Sequence, residues 1–130
     1  RTKADMLTNC QTRAEQVVDA RDAGRFTGET ADTVHDLPGG HIPGARNLFF
    51  ADLLAQDGTF LPPDRLAKAF TDAGLDPAAP LTASCGSGIT ASVVLFAHHL
   101  IGHDHGALYD GSWSEWGADP ATPKETGPAA

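Results

Sequence analysis

The residues of this chain with the most distinctive chemistry are Cys85, Gly86, Ser87, Gly88, Ile89 and Thr90. A thiol follows the run Leu81-Thr82-Ala83-Ser84, two glycines flank a serine, and from Ile89 to Ile101 there is no Asp, Glu, Lys or Arg. If a strand ends at the thiol and a helix starts soon after, the loop and first-turn N–H groups have no intrahelical partners and can point at one spot. The helix dipole adds roughly half a positive charge at that end. Such a place favours an anion, and the thiolate is the nucleophilic form of cysteine. Gly86 and Gly88 allow backbone angles that a Cβ would resist. The same spacing also fits a buried, inert thiol beside an ordinary strand–helix turn, because free cysteine is among the most buried residues.

Three other chemistries fail on position. A cysteine-phosphatase loop needs an arginine six places after the thiol, and Ala91 stands there. A nucleotide-binding P-loop needs Gly-Lys-Ser/Thr, and Gly88 is followed by Ile89. A Gly-x-Ser-x-Gly elbow is absent, since Ser87 lies directly between Gly86 and Gly88.

The flanking pattern predicts the elements that position this loop. A short helix is expected over 2–9, a strand over 16–20, and an ordered loop punctuated by glycine and proline over 21–44. A second short strand is expected over 47–50, with a turn of helix over 51–54. Leu66, Ala69, Phe70 and Ala73 recur at helical spacing after Pro62 and Pro63, which predicts a helix over 63–73. A strand over 81–85 leads into the Cys85 loop, and a largely buried helix runs from 89 to 100 or 101. A last strand over 107–109 precedes a short helix carrying Trp113 and Trp116. The Pro/Ala/Thr/Gly composition after 120 predicts a flexible tail over 120–130 behind a domain over 1–119. Strands alternating with helices imply an α/β fold with a mainly parallel sheet and helices on both faces. Ligands in such folds bind beyond the C-terminal ends of the strands, where Cys85 is placed.

Composition removes several functions. The 130 residues carry 9 Lys+Arg against 17 Asp+Glu, a net charge of −8, so neither nucleic acid nor an anionic membrane is an expected partner. The longest stretch free of charged residues contains glycine breaks, hydroxyls and histidines, so it does not read as a membrane span. Two cysteines do not make a disulfide framework, and a reactive thiol suits a reducing compartment, so a cytoplasmic location is expected. The start Arg1-Thr2-Lys3 suggests a mature product or a domain cut from a longer chain.

The loop from Cys85 to Ala91 resembles the active-site loop of the rhodanese-like sulfurtransferases, in the form associated with 3-mercaptopyruvate sulfurtransferase. Thiosulfate-using members usually carry basic residues where Gly86 and Ser87 stand. Three further stretches are similar to family segments: Val17-Val18-Asp19-Ala20-Arg21 with Gly24-Arg25-Phe26, Gly40-His41-Ile42-Pro43-Gly44-Ala45-Arg46-Asn47, and Asp110-Gly111-Ser112-Trp113-Ser114-Glu115-Trp116. The resemblance implies a sheet of about five strands and the C-terminal catalytic half of a tandem protein, partnered by an N-terminal rhodanese-like domain. It implies that Cys85 takes a sulfane sulfur from thiosulfate or 3-mercaptopyruvate as a persulfide. A thiol, cyanide or thioredoxin-like acceptor then removes it. Arg25 aligns with an arginine that binds the donor's anionic group, and Ser87 with a serine beside the donor. The amides from Gly86 through Ser87, Gly88, Ile89 and Thr90 to Ala91 would cradle the persulfide. In the mercaptopyruvate type a second arginine lies nine residues after the first; that position is Val34, beside His35, with Arg46 or an arginine from the other half as possible substitutes. A docking module without catalysis, or a half inactive without its partner, are the rival readings.

Arg21 reads as a structural ion-pair partner, Asp19 as a loop-stabilising acceptor and His41 as a turn-stabilising donor. Trp113 and Trp116 read as core and pocket wall, and Cys10 has no assigned role. His98, His99, His103 and His105 invite a metal reading, but adjacent histidines face different sides of a helix and no Cys or Glu completes the set. No metal and no cofactor are expected.

Overall fold

Each half of the chain supplies two short runs that pair side by side. The computed structural model describes residues 1–33 and 36–129. Its strands are β1 (Gln16–Asp19), β2 (Arg46–Asn47), β3 (Leu81–Ser84) and β4 (Ala107–Leu108), all parallel, in the order β2-β1-β3-β4. β1 and β3 form the centre, with Gln16 opposite Leu81 and Asp19 opposite Ser84. The helices are α1 (Lys3–Thr12), α2 (Ala23–Thr27), α3 (Pro63–Asp72), α4 (Ala91–Leu100) and α5 (Ser112–Trp116), with a 3₁₀ turn at Phe50–Leu53.

Strand alternation sorts the core into two layers. Val18, Ala20, Leu81, Ala83 and Cys85 pack with Leu66 and Phe70 of α3 and Val94 and Ala97 of α4. Val17 packs with Met6 of α1, Phe26 of α2 and Trp113 and Trp116 of α5. The expected α/β architecture is therefore present, with four strands among the described residues where about five were expected. No helix among them is long and apolar enough to cross a membrane.

Three boundaries differ from the sequence reading. The loop expected over 21–44 contains α2, capped by the Asp22 carboxylate accepting the Arg25 N–H and closed by Gly28 at φ +89°. Five residues are too few to display a helical period, so only the cap pattern could reveal it. α4 starts at Ala91 rather than 89, because the Ser92 and Val93 N–H groups bond the Ile89 and Thr90 carbonyls in a tighter turn. The expected flexible tail is docked along much of its length. Its backbone bonds reciprocally between His41 and Glu125, Gly127 donates to the Thr27 carbonyl, and Trp116 Nε1 donates to the Pro123 carbonyl. These are bonds to distant chain, which local composition does not encode.

A buried ion pair locks the end of β1. Arg21 and Asp19 are 1% and 3% exposed, and Arg21 Nη2 stands 2.8 Å from Asp19 Oδ2. Nη2 also donates to the Gly40 carbonyl, and the guanidinium lies 4.7 Å from the Trp113 ring centre. Asp19 also accepts the Arg21 N–H, so both residues have the structural roles expected of them. Asp19→Ala leaves the buried cation with only the more distant Asp32 carboxylate, 3.9 Å from Nη1, and should cost about 3–5 kcal/mol in urea unfolding. Asp19→Ala/Arg21→Met should lose less than the single variant; an equal or larger loss would contradict the pairing.

Candidate functional site

Cys85 directly follows β3, and the chain reverses direction across the sheet at β1 and β3: β2 lies to one side and β4 to the other. That switch point leaves a crevice at the C-terminal ends of the two central strands. The Cys85 loop sits at the end of one and the Asp19–Arg25 segment at the end of the other.

The thiol follows the alternation of Leu81 and Ala83 and turns toward the α4 layer, where it is 1% exposed. It is not purely an apolar contact. The Gly88 N–H donates to Sγ at 3.0 Å. The N–H groups of Gly86, Ser87, Ile89, Thr90 and Ala91 make no hydrogen bond to another group among the described residues. One amide therefore already faces the sulfur and five more are unpaired around it in sequence. Gly88 makes the bend possible: its φ is +91°, and a Cβ there would stand 2.7 Å from the Asp110 carbonyl oxygen. Ser87 is exposed and its hydroxyl has no partner among the described residues, while Ile89 is 74% exposed. These two exposed side chains form the outer lip of the loop that follows the buried Cys85.

The start of α5 holds the loop from outside. Buried Ser112 Oγ accepts the Cys85 N–H at 3.0 Å and donates to the Tyr109 carbonyl at 2.8 Å. The Trp113 N–H bonds the Cys85 carbonyl at 2.9 Å, and the Ser114 N–H bonds the Gly86 carbonyl at 2.8 Å. Ser112 takes φ +52° to do this, an uncommon angle for a residue with a Cβ. The Asp110–Trp116 stretch is thus a backbone latch on the Cys85 loop.

Arg25 projects from α2 and is held by carboxylates. Its Nε is 2.8 Å from Asp22 Oδ2 and its Nη1 3.5 Å from Asp32 Oδ1. No hydrogen bond or ion pair among the described residues joins it to the Cys85 loop. Burial raises the Asp22 pKa, but the Arg25 N–H and guanidinium outweigh it and hold the carboxyl below its usual 3.8.

The rhodanese-like domain family matches residues 2–119. The chain belongs to this family. The mouse 3-mercaptopyruvate sulfurtransferase is 40% identical over 116 residues, and the mouse thiosulfate sulfurtransferase 40% over 117; each match covers 89% of this chain and 39% of the relative. The chain thus spans about two-fifths of the length of these relatives. Among solved structures, the Tum1 protein of Saccharomyces cerevisiae superposes with a TM-score of 0.83 at 32% identity, covering 96% of this chain and 46% of that one. A structure of EanB, described as a cysteine persulfide in a tetrahedral intermediate state with ergothioneine, gives 0.88 at 25%, covering 98% and 32%.

Within this rhodanese-like domain, Arg46 lies away from the crevice. It opens the edge strand β2 and lines a surface hollow with Gln16, the first residue of β1, and Gly74, whereas Cys85 follows the last residue of the central strand β3. Val34 and His35 lie outside the described residues. His41 is buried, stacks on Phe26 at 3.8 Å and donates from Nδ1 to the Phe26 carbonyl, the expected structural role. Trp113 Nε1 donates to the Pro38 carbonyl, which ties α5 to the segment after α2.

The sequence reading missed one group and set aside another that the fold brings together. Ser112 is one: its motif was matched, but nothing local shows that its hydroxyl meets the Cys85 amide. The other is a histidine cluster at the far end of α4. His98 and His99 do diverge, His99 pairing with exposed Asp104, but the turn after α4 brings His103 and His105 back to His98. Burial, countered by a bond to the Pro77 carbonyl, holds His98 below its usual 6.5. Spacing i, i+5 and i+7 across a turn is not a helical signature, so the sequence could not show it.

Ser112→Ala leaves the buried Cys85 N–H without its acceptor. Urea unfolding should show a loss of about 1–3 kcal/mol; an unchanged midpoint would remove the latch argument. Asp22 titrates below 3.8, so its cap on α2 is intact above that pH and is lost as pH falls through the lowered value. An NMR titration of the Arg25 amide shift should give a midpoint below 3.8, and one above it would contradict the pairing.

Proposed function

We propose that this rhodanese-like domain is a sulfurtransferase that carries sulfane sulfur on Cys85. The observation that carries the reading is the sulfur itself: it sits at the switch point of the sheet with the Gly88 N–H upon it and five unpaired amides in the same loop. The names of the relatives support the reaction class, and the persulfide of EanB supports the intermediate.

The thiolate of Cys85 attacks the outer sulfur of the donor. An S–S bond forms to Cys85 as the donor's own bond to that sulfur breaks. With thiosulfate the leaving group is sulfite, which departs with the bonding pair. With 3-mercaptopyruvate it is the enolate of pyruvate, which takes the proton from the sulfhydryl. In both cases Cys85 is left as an anionic persulfide, one charge that the loop amides from Gly86 to Ala91 are placed to stabilise. A thiolate or cyanide acceptor then attacks the outer sulfur and Cys85 leaves as the thiolate. Arg25 binds the donor's carboxylate or sulfonate end, exchanging part of its contact with Asp22 and Asp32 for the substrate. Ser87, exposed and unpaired, hydrogen-bonds the donor at the lip. Ile89 and Thr90 contribute backbone N–H groups.

A second reading has support in the closed geometry. The thiol is 1% exposed and Arg25 is already neutralised, so another part of a longer protein would open the loop or add a cation.

The purified chain, incubated with thiosulfate or 3-mercaptopyruvate, should gain one sulfur, about 32 Da by mass spectrometry, lost in Cys85→Ser. Arg25→Ala, shown folded by circular dichroism, should raise the donor concentration needed by roughly tenfold or more. Comparing turnover with the two donors ranks them. No gain with either donor, on a folded chain, would sink the independent carrier and leave the dependent half or a docking module.

A further inference from the structure

We propose that His98, His103 and His105 form a binding site for a divalent transition-metal ion of the zinc class at the C-terminal end of α4. One ring nitrogen from each lies within 4.8 Å of the other two. The ring centres of His98 stand 4.9 Å from those of both His103 and His105, and the latter two are 5.5 Å apart. Three imidazoles gathered at one point is a donor set suited to zinc, copper or nickel rather than to a hard cation such as calcium.

The hydrogen bonds prepare two of these rings. His98 Nε2 is 2.7 Å from the Pro77 carbonyl, and His105 Nε2 is 3.0 Å from the Ala79 carbonyl. A carbonyl only accepts, so each Nε2 carries the proton and each Nδ1 keeps its lone pair. That is the arrangement in which a ligating histidine is oriented by a backbone oxygen behind it. His98 Nδ1 faces Gly106, where a Cβ would stand 3.2 Å away. A hollow of about 130 Å³ lined by Leu95, His98, His99, His103, Asp104 and Gly106 adjoins the cluster on the side away from His105 and gives solvent ions a way to His98 and His103. The third ring, His103, makes no hydrogen bond among the described residues, so its nitrogens are available.

Around a tetrahedral ion with bonds of about 2.0–2.1 Å, ligand nitrogens stand about 3.3 Å apart. Closure therefore asks the rings to approach by at most about 1.5 Å. His103 and His105 lie between α4 and β4, outside regular structure, and rotation about their side chains supplies that movement. Asp104 is engaged by His99, so a water molecule completes the coordination. Ten helical residues separate the two ends of α4, about 15 Å. The ion is therefore remote from Cys85, and its effect is to tie the turn after α4 to the segment before β3.

The test uses the full chain with Cys10→Ser and Cys85→Ser, so that no thiol competes for the metal. Titration with zinc chloride against a chromophoric chelator should give one ion per chain. His103→Ala or His105→Ala should weaken binding by roughly 10–100-fold or more, while His99→Ala leaves it within about twofold of the parent, since it is outside the donor set. The parent's thermal midpoint should rise with excess zinc, by linkage to the folded state, and that of His103→Ala/His105→Ala should not. His98 is left intact because its bond to Pro77 supports the fold. No stoichiometric uptake by the folded parent overturns the proposal. Equal affinity in His103→Ala/His105→Ala, or a loss in His99→Ala as large as in His103→Ala, does so too.

Discussion

Everything at the crevice depends on how the backbone of Cys85 is held. Its N–H and C=O, the first groups after β3, are both bonded by the start of α5, through Ser112 Oγ and the Trp113 N–H. The peptide units on both sides of the Cys85 Cα are therefore each held by a hydrogen bond, and the thiol direction continues the alternation of the strand. The next carbonyl, that of Gly86, is taken by the Ser114 N–H. The carbonyls of Cys85 and Gly86 are thereby taken by α5, while the Gly88 N–H faces the sulfur.

The latch itself needs support, and the buried polar network supplies it. α5 is fixed by Trp113, whose indole donates to the Pro38 carbonyl and whose face carries the Arg21 guanidinium. Arg21 is in turn bound to Asp19 at the end of β1, the strand paired to β3. One connected set of contacts therefore runs from the end of one central strand, through an ion pair, a ring and a five-residue helix, to the thiol at the end of the other. Buried charge of this kind adds little net stability, since desolvation offsets most of the attraction. Its value lies in geometry: an ion pair and an indole bond are directional where packing is not. The docked segment after 120 adds a further brace, with Trp116 donating to the Pro123 carbonyl and Glu125 pairing with His41.

α4 joins two regions of opposite character. Its N-terminal approach is the amide-rich loop over Cys85, where negative charge is favoured. Its C-terminal end gathers imidazoles, and cations are favoured at that end of a helix dipole. A helix without charged side chains, packed through Ala91, Val94 and Ala97 on β3, is a rigid spacer between them.

Much of this was legible along the chain. The α/β class, the helix on Leu66 and Phe70, and Cys85 at a strand end follow from local periodicity and from glycine placement, which are properties of neighbouring residues. The roles of Asp19, Arg21 and His41 follow from residue chemistry in a turn-rich segment. α2 was hidden because one and a half turns carry no period, and the docking of the segment after 120 was hidden because its bonds reach residues some eighty positions away. The same reason separates the two parts of the site. That Cys85 can be a nucleophile is written in its type and its glycines. Its burial to 1%, the Ser112 hydroxyl on its amide, the carboxylates around Arg25 and the meeting of His98 with His103 and His105 depend on which distant groups the sheet order and the turns bring within bonding distance, and only the folded chain decides that.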